Sequence, residues 1–448
     1  MKQRRFSVLV LLVFSLVAGI LSGCGSSNES SSPAASASAP TATTSGSNEE
    51  ASPRNPEDYK GEITVWTWYR EYYDKRIADF NSVYPNVKVN LVLLNWGDYL
   101  SKFETVKASG GPLPDIALAE SYWWGKMLNM KDTFVNLEDV GFELSELTES
   151  AHKTVVNAQG QFIGVPQGLG VGVVWYRKDL AKQYFGTDDP NELSAQFATW
   201  EDFFEAGRKL KEDSNGKAYL VSNATDMIEA LIGSYKTAGN GYADGRKLTI
   251  AENLTPAFKL LEQGLNEGFV GKFDGPAMDA AWSSGDVVFF PSAAWRAGFI
   301  PSYDAKGKGR WGAMLPPGGS YFRGGTAEMI VDNGDANRAE LAALFLRHSL
   351  YTDQGMAINV DNGNISAVQK YVDNPPTNGA DEYYGVDLSK EFYGWLKQMP
   401  ATGYGAYDSL IEDQLKNAAL EMQKSGITAE QAVDQAVKAI KDRSDELE

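Results

Sequence analysis

Rings and charged side chains cluster directly behind the β-rich runs of this chain, where they can converge on a ligand. Trp68, Tyr69, Arg70 and Glu71 follow Ile63-Thr64-Val65-Trp66-Thr67, and Trp96 follows Val87 to Leu93. Glu120, Ser121, Tyr122, Trp123 and Trp124 follow the run Asp115 to Ala119, and Trp295 and Arg296 come just after Phe289-Phe290-Pro291-Ser292. An aromatic ring covers a flat C–H face, while planar polar groups hydrogen-bond a rim of hydroxyls, and a sugar offers both surfaces. A single Trp is more often a core ring than a ligand contact, so the weight rests on the clusters. Trp66 points opposite to Ile63 and Val65 in the alternation and reads as core. Trp175, Trp200 and Trp282 fall inside strand or helix patterns and read as structural too.

Other chemistries find little purchase. The chain carries 59 acidic residues, so two carboxylates can lie close in any fold, and composition alone marks no glycosidase pair. It has no G-x-S-x-G, no H-E-x-x-H and no phosphate loop, and its only histidines are His152 and His348. The reading is therefore not an enzyme and requires no cofactor. Two histidines and one cysteine disfavour a soft-metal site. The formal charge of -18 opposes nucleic acid and anionic lipid head groups, which reward a basic surface. A polyamine receptor, built from carboxylates and aromatic walls, remains an alternative, as does a purely structural or adhesive surface protein.

The elements that position these clusters begin near Gly61. Residues 61–120 read as β-α-β-α-β: the first run, a helix through Tyr73, Ile77 and Phe80, the second run, a further helix and the third run. This order favours a parallel sheet with helices on both faces and ligands at the C-terminal strand ends. The alternation continues with a strand at Val171 to Tyr176, a helix opened by Thr199, a strand at Val287 to Phe290 and a helix through Ala342, Phe345 and Leu346. Thr428 and Gln431 form a capping box ahead of an apolar face of Ala429, Ala432, Val433, Ala436, Val437 and Ile440. At 448 residues the chain is long enough for two lobes.

At the N-terminus Lys2, Arg4 and Arg5 precede an apolar run from Phe6 to Ile20, the pattern of an export signal too short to be a membrane span. Leu21-Ser22-Gly23-Cys24 follows and resembles the bacterial lipobox, which implies a signal peptide over 1–24 and a diacylglycerol on the Cys24 thiol. Residues 25–58 are mostly Ser, Ala, Pro, Thr, Gly and Asn and read as a disordered tether. The expected location is the outer face of the cell membrane, on a lipid anchor.

From Gly61 onward the chain resembles the family 1 extracellular solute-binding proteins, the group of the maltose receptor. The landmarks are GEITVWTW, FNSVYPNVKVN, LPDIALAESYWW, VVWYRKDL before TWEDFFEAGRKL, SSGDVVFFPSAAWRAGF, the turn Pro317 to Gly319 and AALFLRHSLYTDQG, in that order. The resemblance implies an α/β, two-lobe periplasmic-binding-protein fold of type II, with discontinuous lobes joined by a multi-crossing hinge. Crossings are placed near Pro166 to Gly170, Pro316 to Gly319 and Ser366, which divides the chain into 59–167 with 318–366 and 168–317 with 367–448. It further implies a monomer that closes on a carbohydrate and delivers it to the permease subunits of an ABC-type importer. Trp295 matches the tryptophan that stacks on sugar in relatives, Arg296 lies beside it, and Tyr321, Arg323, Gly324 and Gly325 sit at the second crossing. The full set of expected contacts is Trp68, Tyr69, Glu71, Trp96, Glu120, Tyr122, Trp123, Trp295, Arg296, Tyr321, Arg323 and Gly324. An insertion around Thr187 to Phe197 and unfamiliar residues at the cleft carboxylates depart from the family pattern.

Overall fold

Alternating apolar residues make Gly61–Thr67 a strand, β1, with Ile63 and Val65 buried, in the computed structural model, which describes residues 54–377 and 379–448. Val87–Leu93 (β2) and Ile116–Glu120 (β3) flank it, both parallel to β1, and the helix Arg70–Val83 supplies the crossover between β1 and β2. Beyond β3 the sheet is mixed rather than parallel. Val165–Arg177 (β4), Phe289–Ala293 (β7), Trp311–Met314 (β8) and Phe322–Ile330 (β9) all pair antiparallel, in the order β2-β1-β3-β9-β4-β7 with β8 also on β4. A separate two-stranded hairpin joins Ala243–Asp244 (β5) to Lys247–Leu248 (β6). The β-α-β reading of 61–120 thus stands, while the later strands enter by long returns that hydrophobic periodicity does not orient.

Two hydrophobic cores divide the described residues. The first gathers Ile63, Val65, Phe80, Ile116, Leu118, Phe345 and Leu346 around β1, β3 and their helices. The second gathers Phe203, Phe204, Leu231, Phe258, Leu415 and Val433 from a group of helices that includes Ala224–Thr237, Asp408–Ser425 and Ala429–Lys441. Strand β4 is buried along its whole length and contributes to both. Because successive side chains on a strand face opposite ways, Val173 and Trp175 join the first core while Val174 and Tyr176 join the second. Trp66, Trp200 and Trp282 are buried as well.

The helix caps follow from local chemistry. Thr199 and Asp202 cap one helix reciprocally, and Thr428 and Gln431 cap the last one through bonds of 3.1 and 3.3 Å. That last helix buries Ala429, Ala432, Val433, Ala436 and Ile440.

Two sequence expectations shift. Residues 54–58 belong to the folded body rather than to a tether: Arg54 pairs with Glu340 at 2.8 Å, and Asn86 donates to the Glu57 carbonyl at 2.8 Å. Composition does not show such docking contacts. The Pro316 to Gly319 turn docks on the second-core side, with Gly318 N donating to Ala198 O, and the passage toward β3 is made by β9 itself. Residues 1–53, with Cys24, lie outside the described residues. No helix among the described residues is long and apolar enough to cross a membrane.

Candidate functional site

Strand ends and crossings surround a cavity of about 800 Å³. From the first-core side come Trp68, Tyr69, Arg70, Glu71 and Tyr72 after β1, Trp96 after β2, and Glu120, Ser121 and Tyr122 after β3. Opposite them stand Glu229, Ile232 and Gly233 on the helix Ala224–Thr237, Trp295 and Phe299 after β7, and Glu412 and Lys416 on the helix Asp408–Ser425. The floor is made by Gln167 to Leu169 on β4, Arg323 to Thr326 on β9, and Asn362 and Asn364. Parallel strands end here and turn into helices, which explains why residues just behind each strand reach the cavity.

Close backbone approach at the floor requires glycine. Gly324 has φ +81, and a Cβ there would lie 2.9 Å from Trp295 Nε1. The indole Nε1 donates to the Arg323 carbonyl at 3.3 Å, fixing the ring over the crossing. A Cβ on Gly170 would lie 1.9 Å from the Arg323 carbonyl oxygen, so β4 and β9 touch backbone to backbone beneath the site.

The buried charged groups have partners within the protein, while the exposed Glu71 has none among the described residues. Arg323 is ion-paired with Glu229, and Lys416 Nζ lies 3.6 Å from the other Glu229 oxygen. Lys416 also donates to the Tyr122 hydroxyl, which donates to Asp413, so a polar bridge spans the cleft. Glu412 accepts from Tyr242 at 2.9 Å and faces Lys236 at 3.8 Å, and burial holds its pKa above the usual carboxylate range. Burial likewise pushes Glu120 up to about 7, against bonds of 2.8 Å from Ser121 Oγ and 2.8 Å from Tyr122 N. At the rim Asp361 pairs with Lys75 at 2.6 Å.

Of the residues expected from sequence, the cavity brings together Trp68, Tyr69, Glu71, Trp96, Glu120, Tyr122, Trp295, Arg323 and Gly324. Three stand elsewhere. Trp123 is 6% exposed, stacked on Tyr99 and wedged against Trp68 and Trp96, so it backs the wall instead of forming it. Tyr321 is fully buried in the second core, because its side chain packs beside Gly172 and Gly233 behind the floor. Arg296 lies outside the lining; its guanidinium covers the Trp295 ring at 4.5 Å and donates to the Tyr303 hydroxyl at 2.7 Å. Sequence reasoning missed Tyr72, Gln167, Glu229, Phe299, Asn364, Tyr404, Glu412 and Lys416. Most lie on helices or crossings whose approach to the cavity is set only by the tertiary fold. Neither His152 nor His348 lines the cavity: His152 Nε2 meets the Leu147 carbonyl at 3.1 Å and His348 Nε2 meets Asp79 at 2.7 Å.

Two α/β lobes with an aromatic, polar cavity between them define a solute-binding protein. The chain belongs to the family of bacterial extracellular solute-binding proteins, whose model matches residues 66–373. It is 24% identical over 420 residues to the lactose-binding protein of Rhizobium radiobacter, covering 86% of this chain and 93% of that one. The crystal structure of an extracellular solute-binding protein of family 1 has a TM-score of 0.75 at 21% identity, covering 85% of this chain and 99% of that one. The galacto-N-biose/lacto-N-biose I-binding protein of Bifidobacterium longum, solved with lacto-N-biose, has a TM-score of 0.70 at 17% identity, covering 86% of this chain and 97% of that one. The family is defined by capture of a solute rather than by a reaction.

Proposed function

We propose that the chain captures a neutral carbohydrate, an oligosaccharide, in the cleft and presents it to the permease subunits of an ABC-type importer. The observation that carries this reading is a cavity walled by Trp68, Trp96, Tyr122, Trp295 and Phe299, in which the buried charges have partners within the protein. A polyamine needs carboxylates free to receive its ammonium groups. Here Glu229 is committed to Arg323 and Lys416, Glu412 to Tyr242 and Lys236, and Glu120 to Ser121 and the Tyr122 amide, which leaves the exposed Glu71 as the lining carboxylate without a partner among the described residues, where a polyamine needs several. Neutral hydroxyls fit the remaining amides and rings, and two relatives, one named for lactose binding and one solved with lacto-N-biose, support the same class. In this reading the chain crosses between the lobes near 167, within β9 and near 366, so the boundary that the sequence placed at 317/318 moves into β9.

Thermal unfolding with lactose, lacto-N-biose, maltose and spermidine tests the reading. A ligand at 100 times its Kd adds about 2.7 kcal/mol of stability. A sugar should raise Tm, and a rise with spermidine alone overturns the carbohydrate assignment.

Attachment through Cys24 belongs to the same proposal, because the motif follows a charged and then apolar leader. Cys24→Ala should release the protein from membranes, and the parent should carry a diacylglycerol by mass spectrometry. A parent without lipid and a variant that stays membrane-bound reject the anchor.

A further inference from the structure

Gln167 sits at the start of β4, where the strand crosses beneath the cavity, and it is 2% exposed. Its side-chain amide oxygen is buried and has no hydrogen-bond partner among the described residues. Its backbone, by contrast, is tied down. The Gln167 carbonyl accepts from Asn359 Nδ2 at 2.8 Å, and Asn359 Oδ1 accepts from Tyr72 Oη at 2.6 Å and from Asn364 Nδ2 at 2.9 Å. Tyr72 and Asn364 also line the cavity. Strand β4, the end of the helix Asp353–Asp361 and the helix Arg70–Val83 are thereby fixed to one another around Gln167, while its amide stays unused.

Buried amide oxygens nearly always find a donor, so an unpaired one on a residue that lines the cavity calls for a donor from outside the chain, a ligand hydroxyl or a water that the ligand displaces. We propose that Gln167 is a specificity-determining residue that hydrogen-bonds one hydroxyl of the bound sugar through its side-chain amide. The inference rests on the carbohydrate reading above. It adds that discrimination among sugars is made partly at the crossing between the lobes, by a neutral group held in place through Asn359. A site built around a hydrogen bond to a hydroxyl rejects the analogue that lacks it, because the buried polar group is then left unpaired again. A hydroxyl that meets the amide is selected, and one epimerised away from it is not.

The test uses the full chain and Gln167→Met, which keeps the length of the side chain and removes the amide, with Gln167→Ala as a second variant. Calorimetric titration with lactose, lacto-N-biose and maltose, followed by the monodeoxy derivatives of whichever binds tightest, is read beside unliganded melts. We expect Gln167→Met to bind that sugar about 10- to 100-fold more weakly, with its unliganded Tm unchanged or raised. One deoxy derivative should bind weakly to the parent, yet bind to the variant as well as the complete sugar does. If both variants bind the sugar as the parent does, Gln167 is no contact and the inference falls while the carbohydrate reading stands. If affinity and unliganded stability fall together in both variants, Gln167 is structural and the inference is overturned. If no sugar binds the parent, the carbohydrate reading itself fails and the inference with it.

Discussion

Strand β9 carries two buried or half-buried ion pairs that differ in what surrounds them. Glu328 meets Arg76 at 2.5 Å with both side chains sealed from solvent, and the guanidinium lies against the rings of Tyr72, Tyr73 and Phe345. Arg323 meets Glu229 at the cavity, where 24% and 17% of the two side chains remain exposed. The first pair is closed on all sides and contributes only to the shape of its lobe. The second is open on one side, so a ligand that enters can share its donors. Burial of charge alone does not distinguish a functional pair from a structural one; access does.

Removing one partner breaks the comparison most sharply. Glu328→Gln leaves the Arg76 cation buried and uncompensated and should cost about 3 to 5 kcal/mol of stability in denaturant unfolding. Glu229→Gln should cost about 1 kcal/mol or less, since Arg323 retains access to water and Lys416 retains Tyr122. Its effect should appear instead as weaker sugar binding in calorimetry. Equal losses of stability in the two variants erase the distinction. Because Arg76 Nε finds no partner among the described residues even in the intact pair, replacing both charges with Met and Leu should restore most of what Glu328→Gln loses.

The same contrast divides two tryptophans that sequence placed together. Trp123→Ala removes a ring enclosed by Trp68, Trp96 and Tyr99, and should cost about 3 kcal/mol or more of unliganded stability. Trp295 is half-buried on the cavity wall, and Trp295→Ala should leave the unliganded melt nearly unchanged while weakening sugar binding by about 2 kcal/mol, roughly thirtyfold. A collapsed melt with normal affinity for Trp295→Ala moves that ring into the core.

What sequence made legible follows from these cases. Strand ends could be located because apolar residues alternate along β1 and β2, because β3 is a short run, apolar up to Glu120, behind Pro112 and Pro114, and because ligands collect behind parallel strands, so Trp68, Trp96, Glu120 and Tyr122 were within reach. Trp123 was not separable from Tyr122, since the short helical turn Ser121–Trp123 aims neighbouring residues to opposite sides of the wall. Tyr321 and Arg323 differ in the same way: one side chain enters the second core and the other the cavity. Glu229, Glu412 and Lys416 carry no local signal. They read as ordinary charged positions on amphipathic helices, and only the packing of Ala224–Thr237 against Asp408–Ser425 brings them to the cleft. Gln167 fell within the crossing expected at Pro166 to Gly170, but no local signal separated its side chain from its neighbours as one that reaches the cavity.

The smallest expected effect concerns Glu120, whose carboxyl burial raises to about 7 from an ordinary 4.5. In the unfolded chain the group ionises near 4.5, whereas in the folded protein it holds its proton until about 7, so between these values the folded state binds more protons. The stabilisation from this group is therefore fully present below 4.5 and is lost as pH rises through about 7. Asp226, raised to about 6 by burial and by the neighbouring Glu229, titrates in the same window, so the parent's profile alone does not isolate Glu120. The difference between the parent and Glu120→Gln does, because the amide keeps the shape of the side chain and cannot ionise. Relative to the variant, the parent should gain about 2 °C in unliganded Tm as pH falls from 8 to 5. Ser121 Oγ and the Tyr122 amide favour the ionised form, and the Arg323 cation nearby does the same, which keeps the effect modest. A difference that stays flat across the range means that water reaches the carboxyl freely, and Glu120 then belongs with the open face of the site rather than with its buried wall.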